Sequence, residues 1–333
     1  TTTCPMPSAN PPPRPRACAA READVGTGAD GIGQRVLVAI VGPTATGKTA
    51  LGLELARRLG GEVVNADSMA LYKGMEIGTA RTPAAERADV PHHQIDVLDL
   101  DQEASVAAYQ ASARADVEGI WERGRTALLV GGSGLYVRAV TDRIEFPGTD
   151  AAVRARWEDL GEARGGAYLH AELERRDPAA AAAILPGNVR RLARALEVVE
   201  LTGGPFAARL PAYTPWRPVR LLGLGLSLEA LDRRIALRTA QMMERGLIDE
   251  MRALTRQGRP FGRTARAAIG YREALAVLAG DLDAAEAERQ IAAATRRLAR
   301  RQLKWFRRDP RIAWLDAAAP DLPTRALAAL KAA

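Results

Sequence analysis

Residues 42–49, with the sequence GPTATGKT, have the residue types and spacing of a phosphate-binding loop. A β-branched apolar run at 36–41 precedes them, and apolar residues at helical spacing follow over 51–59. The glycines let the backbone curl so that its N–H groups face inward, and the helix N-terminus adds partial positive charge. Lys48 adds an ammonium group, and the Thr49 hydroxyl is a ligand for Mg²⁺. We therefore predict that a diphosphate or triphosphate is bound by Gly42, Pro43, Thr44, Ala45, Thr46, Gly47, Lys48 and Thr49.

A second reactive group is the carboxylate of Asp67, which follows an apolar strand predicted at 62–66. Ligands of open α/β sheets bind at the carboxyl ends of strands, where a carboxylate can accept a proton from a substrate. Asp67 could equally cap the segment that follows, and its position alone leaves both roles open. The strand predicted at 127–130 ends in Gly-Gly-Ser, without the carboxylate that P-loop NTPases use for Mg²⁺, and Asp96 is the one substitute nearby. This departure argues against ATP hydrolysis.

The elements around these groups predict an α/β fold: a P-loop NTPase-like core with a mostly parallel sheet, a helical insertion and a helical C-terminal part. Strands alternate with helices up to Thr141, and the segment from 150 to about 204 is Ala- and Arg-rich and helical. A returning strand at 221–226 and long helices to about 308 follow. The predicted division is a disordered tail (1–34), the first part of the core (35–141), the insertion (142–205), the second part of the core (206–318) and a C-terminal tail (319–333).

Composition excludes several classes of protein. The chain has 333 residues, of which 47% are hydrophobic, and a formal net charge of +7, which favours a polyanionic partner. The cysteines, Cys4 and Cys18, lie in the proline-rich tail, so neither a disulfide scaffold nor a cysteine zinc site is expected. The histidines are His92, His93 and His170, too few to favour a histidine metal centre. We expect His92 and His93, which follow a proline, to lie in a hydrogen-bonded loop.

The sequence predicts neither membrane insertion nor secretion. No apolar run approaches the ~18–20 residues that cross a bilayer. Arg14 and Arg16 are not followed by an apolar stretch, so we expect no secretory signal. The expected compartment is the cytosol.

Residues 42–49, 65–68 (NADS) and 71–80 (LYKGMEIGTA) together resemble the tRNA dimethylallyltransferase (tRNA isopentenyltransferase) family. Five later blocks are similar to that family in the same order: 91–93 (PHH), 129–136 (LVGGSGLY), 191–197 (RLARALE), 269–272 (IGYR) and 301–305 (RQLKW). The resemblance covers about 36–315, and the YKGM stretch at 72–75 is its most family-specific part.

The resemblance implies transfer of a dimethylallyl group from dimethylallyl diphosphate to N6 of the adenosine directly 3′ of a tRNA anticodon, with Mg²⁺ as cofactor. The phosphate loop then holds a prenyl diphosphate, and diphosphate leaves intact. No phosphorus is attacked, which suits the missing carboxylate, and the loop has to stabilise the charge growing on the leaving group. Because the target base is stacked in its loop, it must be splayed or flipped to react.

The resemblance also implies site residues. The catalytic set is Asp67 as the base, Ser133 where the family has threonine, and Lys48. Arg234 and Arg238, four residues apart on one helix face, resemble the diphosphate-binding arginines, although a solvated basic face would look the same. The residues implied to contact tRNA are Asp67, Ser68, Met69, Ala70, Ser133, Arg154, Arg190, Arg191, Arg194, Gly270, Tyr271, Arg272, Arg300, Arg301, Gln302, Lys304, Trp305 and Arg307.

Two predicted helices carry basic stripes that strengthen the tRNA interpretation. One spans 188–201 and has an apolar face beside clustered arginines. The other spans 290–306 and has basic residues at i, i+3, i+4 and i+7, with Trp305 and Phe306 beside them. Such stripes are often only solvated faces, but two of them on a basic protein favour nucleic-acid binding. We expect the helical insertion to clamp the tRNA and the protein to be a monomer.

Other functions remain open from the sequence. A P-loop kinase or ATPase would explain the loop but not the blocks at 72–80. A prenyltransferase acting on free adenine nucleotides would not need the insertion or the basic C-terminal helix. A non-enzymatic RNA-binding module would leave the phosphate loop and Asp67 unexplained.

Overall fold

One six-stranded parallel sheet organises the described part of the chain, in the order β3-β2-β4-β1-β5-β6. The coordinates are a computed structural model, which describes residues 35–87, 89–258 and 260–332. The predicted tail at 1–34, with both cysteines, lies outside these residues. The strands are β1 (Leu37–Val41), β2 (Glu62–Asn65), β3 (His92–His93), β4 (Ala127–Gly131), β5 (Val219–Gly225) and β6 (Ile312–Asp316).

Thirteen α-helices accompany the sheet within the described ranges. They are α1 (Lys48–Leu59), α2 (Val106–Glu122), α3 (Gly134–Thr141), α4 (Ala151–Arg164), α5 (Gly166–Arg176), α6 (Pro178–Ala183), α7 (Val189–Thr202), α8 (Leu228–Glu244), α9 (Leu247–Arg256), α10 (Arg263–Arg266), α11 (Tyr271–Ala279), α12 (Ala284–Phe306) and α13 (Leu322–Ala332). A 3-10 helix spans Ala84–Arg87.

Both faces of the sheet are covered, which explains why its central strands are continuously apolar. On one face Leu37, Ala39 and Val41 pack with residues of α2, α3 and α12. On the other face Val38 and Ile40 pack with residues of α1 and α13. The carboxyl ends of β1, β2 and β4 therefore open between two helical layers. The predicted α/β core with a mostly parallel sheet is confirmed.

Helices α4 to α7 have an apolar cluster of their own, centred on Trp157, Leu169 and Leu192. This agrees with a helical insertion. An exposed ion pair, Arg263 Nη1 to Glu158 Oε2 at 2.5 Å, connects α10 of the core to α4. The domain boundaries at 142 and 205 stay predictions.

Three sequence expectations need correction. The expected C-terminal tail at 319–333 contains α13, whose Ala326 and Leu330 are fully buried against α1 and the sheet. The expected loop at His92 and His93 is the short edge strand β3, paired with β2. The strand β6 was not predicted, because only one of its side chains is buried.

Candidate active site

The phosphate loop joins β1 to α1 and contains residues with positive φ, a conformation that glycine adopts readily. Gly42, Ala45 and Gly47 have φ of 139°, 63° and 90°, so three residues lie in the left-handed region. The Thr46 hydroxyl donates to the Pro43 carbonyl at 2.9 Å and closes the loop on itself. The loop curls with its free N–H groups at the start of α1, where the helix dipole favours an anion.

Lys48 is held at the mouth of this loop. Its Nζ donates to the Pro43 carbonyl at 2.6 Å, and the side chain is half-buried. Burial lowers the pKa of Lys48 to about 7; Asp67 opposes this shift and Arg238 adds to it. Asp67, Lys48 and Arg238 therefore lie close enough to influence one another. A dianionic ligand would supply the counter-charge that the lysine lacks.

Helix α8 brings its arginines to the same loop. Leu231 and Ile235 form an apolar cluster that Ala45 packs against. Arg238 Nη1 donates to the Thr44 hydroxyl at 3.1 Å, and burial lowers the pKa of Arg238 while Asp67 opposes the shift. Arg234, one turn earlier, is exposed beside it. The predicted pairing of Arg238 with the phosphate loop is thus consistent with the geometry.

Asp67 is oriented by Asn65, the last residue of β2. Asn65 Oδ1 accepts from the Asp67 amide at 3.0 Å, and Asn65 Nδ2 donates to the Asp67 carbonyl at 2.9 Å. Asp67 Oδ1 accepts from the Met69 amide at 3.0 Å, whereas Oδ2 makes no hydrogen bond to a described residue. The two roles left open by the sequence are therefore compatible, since one oxygen caps the turn and the other is free for a proton.

Ser133 lies beside this turn at the end of β4. Its amide donates to the Ala66 carbonyl at 3.2 Å, and its Oγ accepts from the Ser68 amide at 3.2 Å. Gly131 permits the approach, because a Cβ there would come within 2.2 Å of the Ala66 carbonyl oxygen. The Ser133 hydroxyl thus keeps its proton for the Ser68 hydroxyl, 3.4 Å away, or for a substrate.

A cavity of about 80 Å³ is lined by both Thr49, the last residue of the phosphate loop, and Asp67. The remaining lining residues are Val63, Asn65, Ala70, Thr79, Ala80, Arg81, Thr82, Arg87, His92, Ile95 and Val130. The cavity thus has an apolar part beside its polar groups, as a prenyl diphosphate requires.

The donors present fit Mg²⁺ only together with a substrate. Thr49 is exposed at the start of α1 and lines the cavity with Asp67. The described ranges contain no cluster of three or more histidine, cysteine, aspartate or glutamate residues that could hold a metal. Mg²⁺ is commonly held by one or two protein oxygens plus phosphates and water, which this site can offer. Asp96 is unsuited to the role, since it pairs with Arg81.

The residues predicted to meet tRNA near the cavity are divided by burial. Ser68 and Met69 are half-buried at the mouth, whereas Ala70 is buried. Arg190 of α7 lies near Tyr136: burial raises the pKa of Tyr136 to about 12, Asp67 adds to the shift, and Arg190 opposes it. Arg190 and Asp67 are thus both near enough to Tyr136 to influence the pKa of its phenol.

The other arginines of the insertion make internal contacts. Arg194 Nη1 and Arg154 Nη1 lie 2.8 and 3.4 Å from the Glu197 carboxylate, which is fully buried. Burial raises the pKa of Glu197, but hydrogen bonds from Thr149, Arg194 and the Asp150 amide, with the charge of Arg194, hold it below its usual value. Arg191 donates to the Ala208 carbonyl. These three arginines stabilise the insertion, and their contacts with tRNA stay predictions.

Helix α12 offers a freer basic surface. Arg301, Lys304 and Arg307 are exposed and form no ion pair with any residue the structure describes. Arg300 instead contacts Asp232 of α8 at 2.8 Å.

Near the start of α11, the predicted tRNA contacts lie in different environments. Gly270 is the buried N-cap of the helix, with φ of 94°. Arg272 is exposed and pairs with Glu273. Contact of either residue with tRNA stays a prediction.

Two residues predicted to contact tRNA have buried side chains that bind within the protein, and their contact with tRNA stays a prediction. Tyr271 is 0% exposed, with its ring packed under Gly78. Gln302 is buried, and its amide binds protein backbone at both ends: Oε1 accepts from the Thr44 amide and Nε2 donates to the Gly132 carbonyl, each at 2.9 Å. The half-buried Trp305 packs on Gly134, where a Cβ would lie 2.2 Å from Nε1.

Sequence reasoning did not assign roles to Asn65 and Tyr109, and it assigned Gln302 only to tRNA. Asn65 fixes Asp67, and the buried Tyr109 donates to the Asn65 carbonyl at 2.7 Å. Gln302 ties the phosphate loop to the end of β4. A signal existed for Gln302, since it is a polar residue on the apolar face of an amphipathic helix, between Ala299 and Phe306. No comparable signal existed for Asn65.

The phosphate loop follows β1, and the free carboxylate oxygen of Asp67 follows β2. Thr49 of the loop and Asp67 line one cavity. These features define an α/β P-loop enzyme that can hold a diphosphate beside a proton acceptor. The IPP transferase family model matches residues 70–309, and the chain belongs to this family. None of the helices in the described ranges combines the length and apolar character needed to cross a bilayer.

Similar proteins agree on the family. The chain is 57% identical to the tRNA dimethylallyltransferase of Salinispora arenicola over 298 residues, which cover 89% of this chain and 87% of the relative. The enzyme of the same name from Nocardia farcinica is 56% identical over 297 residues, covering 89% and 95%.

Solved structures agree as well. The full-length tRNA isopentenylpyrophosphate transferase of Bacillus halodurans matches with a TM-score of 0.64 and 40% identity, over 90% of this chain and 97% of that one. A eukaryotic dimethylallyltransferase acting on tRNA matches with a TM-score of 0.71 and 28% identity, over 84% and 73%. The resemblance and the fold class inferred from the sequence are confirmed.

Proposed function

We propose that this chain transfers a dimethylallyl group from dimethylallyl diphosphate to N6 of the adenosine directly 3′ of the anticodon of tRNA. The observation that carries the proposal is a cavity lined by both Thr49 and Asp67. A diphosphate on the loop and a nucleophile next to Asp67 would then meet within it. Relatives above half identity, aligned over most of both chains, bear the name of this activity.

The reaction is a substitution at the allylic carbon. The carbon–oxygen bond of the donor breaks, a bond from N6 to that carbon forms, and diphosphate leaves with the electron pair. The phosphate-loop amides, Lys48 and Arg238 stabilise the charge that grows on the diphosphate. The Thr49 hydroxyl would hold Mg²⁺, which would supply further charge neutralisation at the diphosphate.

The nucleophile must lose a proton, because the N6 lone pair is delocalised into the adenine ring. Asp67 Oδ2 accepts that proton, while Oδ1 stays bonded to the Met69 amide and keeps the carboxylate oriented. Ser133 lies one hydrogen bond from Ser68 and orients the amine through its hydroxyl. Asp67 thus needs no metal ligation to act as the base.

The tRNA docks on the basic residues at the mouth, with Arg190 on one side and Arg301, Lys304 and Arg307 on α12. The insertion clamps the anticodon stem-loop, and the target base is splayed out of its stack. We further propose that the enzyme acts in the cytoplasm as a monomer.

The decisive experiment mixes the protein with labelled dimethylallyl diphosphate, Mg²⁺ and total tRNA. The expected result is label on the adenosine next to the anticodon. A second reaction offers AMP and ADP in place of tRNA, and a third offers ATP and measures ADP release. Label on the free nucleotides with none on tRNA, or ADP release without prenyl transfer, would overturn the proposal.

A further inference from the structure

One wall of this cavity is irregular backbone. Thr79, Ala80, Arg81 and Thr82 all line the cavity. Ala80 has φ of 48°, in the region that a residue with a Cβ adopts at a cost. Local bonds, such as the Arg81 amide to the Glu76 carbonyl at 3.1 Å, curl the segment. Contacts with residues outside the segment fix its position, and the ion pair between Arg81 and Asp96 is one of them.

Three consecutive amides at the base of this wall donate to two side chains, the half-buried Glu250 and the buried Tyr271. The amides of Glu76 and Ile77 donate to the Glu250 carboxylate at 3.2 and 2.9 Å. The Gly78 amide donates to the Tyr271 hydroxyl at 3.1 Å, and that hydroxyl donates to Glu250 Oε1 at 2.5 Å. Glu250 thus fills a concave set of N–H groups that would otherwise attract an anion.

The two residues of this pair lie on two helices, Glu250 on α9 and Tyr271 at the start of α11. Tyr271 is fully buried, and burial together with the adjacent Glu250 raises the pKa of its phenol far above the usual range. The phenol therefore stays protonated and keeps donating to Glu250. Its ring lies directly under Gly78, where a Cβ would come within 2.3 Å of the ring. Only glycine allows the wall to rest this closely on the aromatic ring.

The far end of the wall is connected to the phosphate loop. Arg238 Nη2 donates to the Thr79 carbonyl at 3.5 Å, and its Nη1 donates to the Thr44 hydroxyl at 3.1 Å. The wall therefore runs between the Glu250–Tyr271 pair and a guanidinium that faces the proposed diphosphate. A shift at the base of the wall changes the shape of the donor cavity.

We propose that Glu250 and Tyr271 are positioning residues for the prenyl donor, which hold the wall at 76–82 so that the cavity accepts it. The inference rests on the proposed function, since it takes that cavity to be the donor site. It assigns to Tyr271 a role away from tRNA, and to Glu250 a role that sequence analysis did not identify.

The test is Tyr271→Phe, which keeps the ring under Gly78 and removes only the hydroxyl. Binding of dimethylallyl diphosphate with Mg²⁺ is measured by calorimetry without tRNA, and tRNA binding is measured separately. The donor Kd is expected to rise about threefold to tenfold, the effect of one hydrogen bond. The tRNA Kd is expected to be unchanged, and kcat at saturating donor to stay within about twofold of wild type.

Glu250→Gln is the second variant, because it keeps the shape and removes the charge. It is expected to raise the donor Kd to a similar extent, and the double variant to raise it by less than the product of the two effects, as for residues that act as a unit. Tyr168→Phe is the matched control, since Tyr168 lies in α5 against Arg164 and away from the wall. It should change neither Kd.

Each outcome bears on the inference. An unchanged donor Kd in a folded Tyr271→Phe or Glu250→Gln variant overturns it, as does weaker tRNA binding with donor binding intact. If Tyr271→Phe does not fold, Glu250→Gln decides alone. If the wild-type protein itself fails to bind dimethylallyl diphosphate, the proposed function fails instead, so the two failures are distinguishable.

Discussion

Gln302, near the end of α12, accepts a hydrogen bond from the amide of Thr44 in the phosphate loop, 258 positions earlier in the chain. The same side chain donates to the Gly132 carbonyl at 2.9 Å. One buried amide thus joins the loop that holds the proposed leaving group to the turn that carries Ser133. The C-terminal helix is therefore part of the active-site framework as well as a basic surface.

We expect Gln302→Ala to destabilise the protein by about 1–3 kcal/mol, because the Thr44 amide and the Gly132 carbonyl lose their buried partner. Chemical denaturation measures the change. Gln290→Ala on the same helix is the control, since Gln290 bonds only to Glu286 one turn away and should change stability little. A Gln302→Ala variant as stable as wild type would show that water replaces the amide at no cost.

Asp67→Asn is expected to lower the rate of prenyl transfer by roughly 10²–10⁴-fold, the usual contribution of a general base. Asparagine keeps an oxygen for the Met69 amide, so the turn is preserved while the proton acceptor is removed. Single-turnover kinetics with preformed complexes measure the rate, and separate titrations check that tRNA and donor still bind. A nearly normal rate would reduce Asp67 to a turn-capping residue.

The pKa of Lys48, lowered by burial to about 7, makes donor binding depend on pH. Below pH 7 the Lys48 amine at the phosphate loop is already charged in the free enzyme. Above pH 7 Lys48 must take up a proton when the donor binds. The Kd for dimethylallyl diphosphate is therefore expected to rise by up to about tenfold per pH unit above 7. Calorimetry at pH 6 to 9 in two buffers measures the Kd and the proton uptake.

Lys48→Met is the control for this pH dependence. It is expected to bind the donor weakly at every pH and to take up no proton. A wild-type Kd that is flat from pH 7 to 9, with no proton uptake, would show that Lys48 is already charged in the empty site.

The exposed α12 residues are expected to contact tRNA phosphates. Each of Arg301→Ala and Lys304→Ala should weaken tRNA binding and reduce the slope of log K against log salt by about 1. Arg300→Ala should have a smaller effect, because Asp232 already neutralises Arg300. Arg325→Ala is the control, since α13 covers the opposite face of the sheet. Equal slopes for all four variants would place tRNA elsewhere.

The sequence predicted the phosphate loop and the α/β core because their signals are local. The spacing of Gly42 and Gly47 and the apolar run before them determine a loop without reference to the rest of the chain. Tyr271 and Gln302 were placed at the tRNA surface because they lie in blocks that resemble the family. Their burial depends on Gly78 and Thr44, partners 193 and 258 residues away, which no local pattern encodes. The helix α13 was missed because only two of its side chains, Ala326 and Leu330, are buried, which leaves a weak apolar pattern.

Asp142 joins the two chain segments that connect the core to the insertion, and its loss should destabilise both. It is fully buried, its carboxylate contacts Arg138 at 2.6 Å and Arg311 at 2.7 Å, and its backbone forms a bridge with Pro215. Removing one partner of a buried ion pair costs about 3–5 kcal/mol, because the remaining charge is left uncompensated. We therefore expect Asp142→Ala to lower the free energy of unfolding by that amount, measured by urea denaturation. Asp321→Ala, which breaks only the exposed pair with Arg325, should cost less than about 1 kcal/mol. Equal costs for the two variants would mean that Asp142 contributes no more than a surface ion pair.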